Sequence, residues 1–191
     1  MQQSTNNGQR ITTFCILPLG DIPEIIISSI AAHIQGYLNL DTDILLPSSA
    51  PAYALDQNRL QYNAAPIIKR IEQEAEKRRT KILGIVDVDL FIPVFTHVLG
   101  EAHQGGEAAV ISIHRLIGEK SIGYSISSLL LERTAKIALH EVSHLFNLSH
   151  CMDSNCLMHF SGSLEDIDNL SFYFCRYCSA YLREAIDRFK G

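Results

Sequence analysis

The sequence lacks the features of several protein classes. No apolar run reaches the roughly 18 residues that a helix needs to span a bilayer, and the N-terminal MQQSTNNGQR has neither the basic start nor the apolar stretch of a secretion signal. Charged residues make up only 19% of the chain, and the formal net charge of -5 argues against a broad basic surface for nucleic acid. These absences predict a soluble, cytoplasmic protein that binds neither membrane nor nucleic acid.

The composition is informative in its apolar residues and in its cysteines. Hydrophobic residues make up 47% of 191 residues, which suits one domain, alone or with a small appended module. Disulfides are rare in the reducing cytoplasm, and the count of five cysteines is odd. Cys15 is predicted to be a buried strand residue. The clustering of the other four near the C-terminus indicates metal binding: Cys151, Cys156, Cys175 and Cys178.

Hydrophobic periodicity predicts strands that alternate with helices. Asp21 is the expected N-cap of the first helix, and Gly36 is its expected stop. Residues 48–63 are expected to form a loop, and residues 100–107 a flexible glycine-rich segment. The strands are predicted at 11–17, 42–46, 81–88, 95–99 and 108–114, and the helices at 23–35, 66–79, 127–146 and 178–189. This alternation favours a layered α/β sandwich with a small C-terminal module.

The most informative segment is HEVSHLFNLSH, at residues 140–150. Helix positions i and i+4 lie about 40° apart on one face, so His140 and His144 can bind one metal ion. His150 can join them only if the backbone leaves the helix, and Asn147 stands where that turn is needed, because Asn enters the left-handed region readily. Three neutral histidines leave a tetrahedral zinc one open position, which is typical of a catalytic site.

Glu141 lies beside this histidine face. Its carboxylate can reach a metal-bound water without being a ligand, which makes it a candidate general base. A bare HExxH motif also arises by chance: helical histidine pairs can face solvent or lie in the core, and Glu141 could be a solvated carboxylate. The third histidine, placed after a residue that can form the turn, makes coincidence much less common.

The cysteines form two pairs at short spacing. Cys151 and Cys156 are separated by four residues, and Cys175 and Cys178 by two. Two such pairs brought together by a loop give a closed tetrahedral thiolate site, whose metal is structural because no position is left for water. Such a site would supply folding energy to a module with little core of its own. The alternatives are four free buried thiols or a redox-active CxxC, although a thioredoxin-like βαβ setting is missing.

These motifs together resemble the archaemetzincins. The family signature is HExxHxxGxxHC, then x4-C-x-M, and after a longer spacer CxxC. Asn147 replaces the family glycine, and the spacer before the last pair has sixteen residues. Weaker resemblance extends upstream through residues 84–90, 97–102 and 110–116. The matching residues are His140, Glu141, His144, His150, Cys151, Cys156, Met158, Cys175 and Cys178.

The resemblance implies an α+β, zincin-like metzincin fold. A twisted, mostly parallel sheet with one antiparallel edge strand would lie above the catalytic helix, and the edge, expected around residues 96–99, would bind peptide by β-augmentation. Met158 would be the Met-turn residue beneath the histidines; otherwise it is an ordinary core methionine. The expected organisation is a flexible tail (1–10), a sheet and helix subdomain with the catalytic helix (11–147) and a cysteine-rich zinc subdomain (148–191), together one compact peptidase domain.

Three functions follow as hypotheses. The first is a zinc peptidase with one catalytic and one structural zinc, a peptide or protein substrate and an oligomeric state that the sequence leaves open. The second is a zinc-stabilised peptide-binding or scaffold protein with little turnover, against which the intact Glu141 speaks. The third is a nucleic-acid finger, which the acidic net charge of -5 disfavours.

Overall fold

A computed structural model describes residues 13–116 and 126–191, so the expected tail at 1–10 lies outside the described residues. The main sheet has five strands in the order β2-β1-β5-β8-β7, and every pairing is parallel except that of β7 with β8. A small second sheet has the order β3-β4-β6. The strands are β1 (Phe14–Leu19), β2 (Thr42–Ile44), β3 (Leu55–Asp56), β4 (Gln61–Asn63), β5 (Ile82–Val86), β6 (Leu90–Phe91), β7 (Gly100–Ala102) and β8 (Ala108–Ser112). The mostly parallel sheet with one antiparallel edge confirms the predicted fold.

Helices cover both faces of the main sheet, as its buried parallel strands require. Every residue of β1, β5 and β8 is buried. On one face, α1 and α3 share a core with Ile16 and Ile111; on the other face, Ile67 and Ile71 of α2 pack against Val110. The helices are α1 (Glu24–Leu38), α2 (Ala64–Arg78), α3 (Ser128–Leu145), α4 (Leu164–Asn169) and α5 (Arg176–Lys190). None of the described helices is both long enough and apolar enough to cross a membrane.

The first helix differs at both ends from the prediction. Its N-cap is Pro23 rather than Asp21, and it continues through Gly36 to Leu38. A helical glycine costs about 1 kcal/mol relative to alanine, but the burial of Ile34 and Leu38 outweighs that cost. The helix ends at Asn39, whose φ of 52° is left-handed.

The edge strand also lies elsewhere than predicted. Residues 95–99 do not form a strand of the main sheet: Val98 bridges to Leu90 of the small sheet, and the antiparallel partner of β8 is Gly100–Ala102. The glycine-rich segment at 100–107 is therefore partly ordered as β7. Residues 48–63 likewise contain β3 and β4 rather than only a loop. The strand propensity of the residues did not predict these very short strands, because their pairing with distant strands, rather than their side-chain pattern, determines where they form.

The C-terminal part packs beneath the long helix. Leu182 and Ile186 of α5 and Ile167 of α4 join the same core as α3. Sequence analysis missed α4, which begins with a capping box between Ser163 and Asp166. Residues 148–162 connect α3 to α4, and several of them line the site described next.

Candidate metal centre and active-site cleft

His140 and His144 face each other from successive turns of α3. Their Nε2 atoms are 3.1 Å apart. The Nδ1 atoms bond to backbone carbonyls instead, that of His140 to Leu157 at 2.8 Å and that of His144 to Leu148 at 2.7 Å. A neutral imidazole that donates from Nδ1 carries a lone pair on Nε2. Two lone pairs therefore point at each other, an arrangement that a shared cation makes favourable.

His150 reaches this pair because the chain turns after the helix. The helix α3 ends at Leu145, and Asn147 adopts a left-handed φ of 64°. The ring of His150 then lies 5.2 Å from that of His140 and 4.9 Å from that of His144, between centroids. The three ligand nitrogens all lie within 4.8 Å of one another. Zn–N bonds of about 2.1 Å in a tetrahedron place nitrogens about 3.4 Å apart, close to the 3.1 Å between the Nε2 atoms of His140 and His144.

All three histidines are held in the neutral form that binds metal. Burial, with a smaller effect from His144, lowers the pKa of His140 to about 3. Burial also lowers the pKa of His144 and of His150. The imidazoles therefore carry no proton to displace at neutral pH, and their chemistry fits a zinc ion.

Glu141 lies between the histidine face and the edge strand. The residue is only 8% exposed, and its side chain lies directly against Gly100 of β7. Burial, and secondarily the charge of Glu101, raises the pKa of Glu141 to about 8. A cation at the histidines would favour the ionised carboxylate and lower that pKa.

The four clustered cysteines form a second group that could hold a metal ion. Their sulfur atoms all lie within 4.8 Å of one another, and Sγ of Cys151 is 3.8 Å from Sγ of Cys175. Zn–S bonds of about 2.3 Å in a tetrahedron place sulfurs about 3.8 Å apart, so the group fits zinc. The backbone N–H of Cys175 also donates to Sγ of Cys156 at 3.3 Å. All four are free of disulfides, as is Cys15, which is buried in β1.

The segment of Met158 is linked to both groups by backbone hydrogen bonds. Met158 is fully buried in the main core, next to the residue whose carbonyl holds His140. Its own carbonyl accepts a hydrogen bond of 2.8 Å from the N–H of Cys151. The segment that carries Met158 is thus bonded on one side to a cysteine and on the other to a histidine.

A cleft of about 670 Å³ runs past the histidines. Residues 95–102 form one wall, α3 forms the floor, and residues 157–162 with α4 form the other wall. Two phenylalanines flank it, Phe95 and Phe160, with ring centroids 6.2 Å apart, and Phe160 also contacts His150 edge to face.

Phe95, Phe160 and Lys136 are among the cleft-lining residues that sequence analysis missed. The phenylalanines carried no usable signal, since they come from separate loops. Lys136 did carry a signal in the sequence, because it is a charged residue on the apolar face of the helix, one turn before His140.

Comparisons with known proteins agree with this geometry. The sequence profile of peptidase family M54 matches residues 27–184. The archaemetzincin of Pyrococcus furiosus is 32% identical over 179 residues, which cover 91% of this chain and 93% of that protein. The crystal structure of the archaemetzincin of Methanopyrus kandleri superposes with a TM-score of 0.77 at 30% identity, over 96% of this chain and 99% of that one.

This chain belongs to peptidase family M54, the archaemetzincins. A second archaemetzincin structure, from Archaeoglobus fulgidus in complex with malonate, has a TM-score of 0.76 at 29% identity, over 89% of this chain and 99% of that one. As an archaemetzincin the chain is a zinc-dependent metallopeptidase, a hydrolase whose substrates are peptides or proteins. Its histidine and cysteine groups fit one catalytic and one structural zinc.

Proposed function

We propose that His140, His144 and His150 hold the catalytic zinc and that Glu141 is the general base of peptide-bond hydrolysis. The observation that carries this proposal is the convergence of three imidazoles in a cleft beside one buried carboxylate. Zinc bound there acts as a Lewis acid on the scissile carbonyl and lowers the pKa of a bound water toward neutrality.

The residues of the chain then have separate roles. The carbonyls of Leu157 and Leu148 hold the two helical imidazoles in the tautomer that leaves Nε2 free. Glu141 accepts the proton of the attacking water and passes it to the leaving amine. The strand β7 has β8 on one side only, so its other edge offers main-chain groups to an extended peptide.

We further propose that Cys151, Cys156, Cys175 and Cys178 hold the structural zinc and define residues 148–191 as a zinc-stabilised subdomain on the sheet and helix subdomain at 11–147. Cys151 follows His150 directly, and its N–H is bonded to Met158. Fixing the cysteine therefore fixes the third histidine. In this role Met158 is the Met-turn residue, an apolar floor beneath the histidines.

The cellular setting follows from the same chemistry. Four thiolates that bind zinc need a reducing compartment, so we place the protein in the cytoplasm. Its substrate is a peptide or protein rather than nucleic acid, since the net charge is -5.

Metal analysis combined with peptide hydrolysis tests the proposal. Protein purified with excess zinc should contain two zinc ions per chain. It should also hydrolyse a mixture of peptides, and mass spectrometry detects the products. His150→Ala should contain one zinc and lose hydrolysis, whereas His103→Ala, which changes an exposed histidine outside the site, should keep both properties. Unchanged zinc content and hydrolysis in His150→Ala would contradict the assignment. Peptide binding without any cleavage by the zinc-loaded native chain would favour the scaffold hypothesis.

A further inference from the structure

Lys136 lies in the active-site cleft with its charge almost entirely buried. It stands one helical turn before His140 on α3 and lines the cleft, yet it is only 2% exposed. Lysine is almost never buried to this extent unless its charge is paired. The part of the cleft around it is otherwise apolar, with Ile137, Ile167 and Leu170 in its walls.

The ammonium group of Lys136 has partners that leave it able to bind one more. Its Nζ donates to the carbonyl of Ile167 at 3.0 Å and lies 2.6 Å from Oε1 of Glu132. The ring of Phe172 is also near, with its centroid 5.7 Å from Nζ. Because an ammonium carries three N–H groups, these two polar contacts leave one donor for a ligand.

The carboxylate that pairs with Lys136 is replaceable. The side chain of Glu132 is 46% exposed at the helix surface. Its carboxylate can turn toward water because it is already half exposed, and the cost of breaking the pair falls on the buried ammonium, which then needs another carboxylate. A carboxylate that enters from the cleft can then take its place on the ammonium without leaving either charge buried and unpaired.

A purely structural role for Lys136 is already filled by a neighbour. Arg133 joins α3 to α4 with two hydrogen bonds to Asp168, of 2.7 and 2.6 Å. Holding the two helices together therefore does not require a buried lysine in the lining of the cleft.

We infer that Lys136 forms a subsite for a carboxylate, so that the peptidase prefers substrates with an acidic group close to the scissile bond. This inference rests on the proposed function of the histidine site. The shared chemistry is a carboxylate, which either an Asp or Glu side chain or a free C-terminus can supply. The same site would reject a lysine or arginine side chain, because two ammonium groups would then share an apolar pocket.

Cleavage of matched peptides tests the inference. Peptides that differ only in carrying Glu, Gln or Lys next to the scissile bond, each with a free or an amidated C-terminus, are compared by kcat/KM. We expect zinc-loaded native protein to cleave one acidic form about tenfold better than its neutral partner, the effect of one charge-assisted hydrogen bond. The Glu against Gln pair reports a side-chain carboxylate, and the free against amidated pair reports a C-terminal one.

Two variants should move this preference in opposite directions. Lys136→Met keeps the length and apolar stem of the side chain but removes the charge, so the acidic preference should fall to about one. Glu132→Gln removes the competing carboxylate, so the preference should rise. Lys69→Met, on the exposed face of α2, is the matched control and should leave the preference unchanged. A structural Lys136 would instead change the cleavage of all peptides by the same factor, and that result would overturn the inference.

Binding separates this inference from the proposed function. Zinc-loaded Glu141→Gln, with and without Lys136→Met, is titrated with the same peptides by fluorescence anisotropy. Tighter binding of the acidic peptide that disappears with Lys136→Met supports the subsite even if no peptide is cleaved. Cleavage by the native protein with no acidic preference in either assay overturns the subsite and leaves the peptidase assignment intact.

Discussion

Gly100 of the edge strand lies directly against the carboxylate of Glu141. A methyl group on Gly100 would be 2.6 Å from Cγ and 2.7 Å from Oε1 of Glu141, well inside van der Waals contact. The proposed general base therefore occupies space that any other residue at position 100 would fill. The strand that offers its main chain to a peptide is thus in contact with the group that would take the proton.

Replacing Gly100 by alanine should displace Glu141 and slow hydrolysis. We expect kcat to fall by about tenfold or more, because a positioned general base contributes about 10²–10⁴-fold and depends on its geometry. Zinc content should stay at two ions, since the three atoms nearest to the added methyl group all belong to Glu141. Gly36→Ala is the matched control: its methyl group meets nothing within 4 Å, so it should leave kcat unchanged. Full activity in Gly100→Ala would show that Glu141 tolerates displacement.

Replacing Glu141 by glutamine should remove the base while keeping the shape of the side chain. We expect kcat to fall by about 10²–10⁴-fold with two zinc ions retained, measured by steady-state hydrolysis and metal analysis. Glu76→Gln, on the exposed side of α2, is the control for the same chemical change. Loss of the histidine-bound zinc in Glu141→Gln would instead indicate that Glu141 is a ligand.

Asn147 should tolerate glycine better than alanine. Its φ of 64° is left-handed, which costs an ordinary residue about 1–2 kcal/mol and costs glycine nothing. Asn147→Ala should therefore lower the free energy of unfolding by about 1 kcal/mol and weaken zinc binding at His150, whereas Asn147→Gly should retain both properties. Urea unfolding and zinc competition with a chelator measure the two effects. Equal behaviour of the two variants would mean that this turn does not position the histidine.

The site was more predictable than the sheet edge because its determinants are local. His140, His144 and His150 lie on one helix and the turn that follows it, so spacing and the preference of Asn147 for left-handed φ are enough to bring them together. Gly100 and Glu141 come from different elements, and only their packing reveals the contact. Lys136 was visible as a charged residue on an apolar helix face, but its partners Glu132 and Ile167 could not be inferred from periodicity.

The edge strand shows why the remainder of the fold was harder to predict. Residues 95–99 have the apolar character of a strand, whereas Gly100–Ala102 has none. Pairing with β8 determines which residues form the edge strand. The carbonyl of Leu99 accepts a hydrogen bond of 2.8 Å from the N–H of Ser112, and β7 continues from there. The side-chain pattern of three residues does not reveal their backbone hydrogen bonds to a distant segment.

Removing the cysteine-bound zinc should destabilise the C-terminal part. Cys156→Ser with Cys178→Ser should leave at most one zinc per chain, because freeing Cys151 also loosens the adjacent His150. The double change should lower the free energy of unfolding by at least about 3 kcal/mol, because structural zinc contributes folding energy of order 10 kcal/mol in small modules. Limited proteolysis should then cut within residues 148–191. Cys15→Ala, at the buried cysteine outside the group, should retain both zinc ions. Two zinc ions in the double variant would contradict the four-cysteine site.

The ion pair between Arg133 and Asp168 should make part of the stability depend on pH. Hydrogen bonds from the guanidinium hold the pKa of Asp168 below its ordinary value. As the pH falls, the unfolded chain therefore takes up this proton first, so the contribution is complete at neutral pH and is lost as the pH drops through the folded pKa. Asp168→Asn should thus be less stable than the native protein at pH 7, and the difference should shrink below about pH 4, near the pKa of a free aspartate.

Urea unfolding at a series of pH values measures this difference for both proteins. Release of zinc in acid affects them equally, so it cancels when the variant is subtracted from the native protein. Asp187→Asn, at an exposed aspartate on α5 away from the Arg133 pair, is the control for the same chemical change. If the Asp168→Asn difference instead grew on acidification, the folded carboxyl would have to bind its proton more readily than the unfolded one. That is the reverse of what a carboxylate held by two guanidinium hydrogen bonds does.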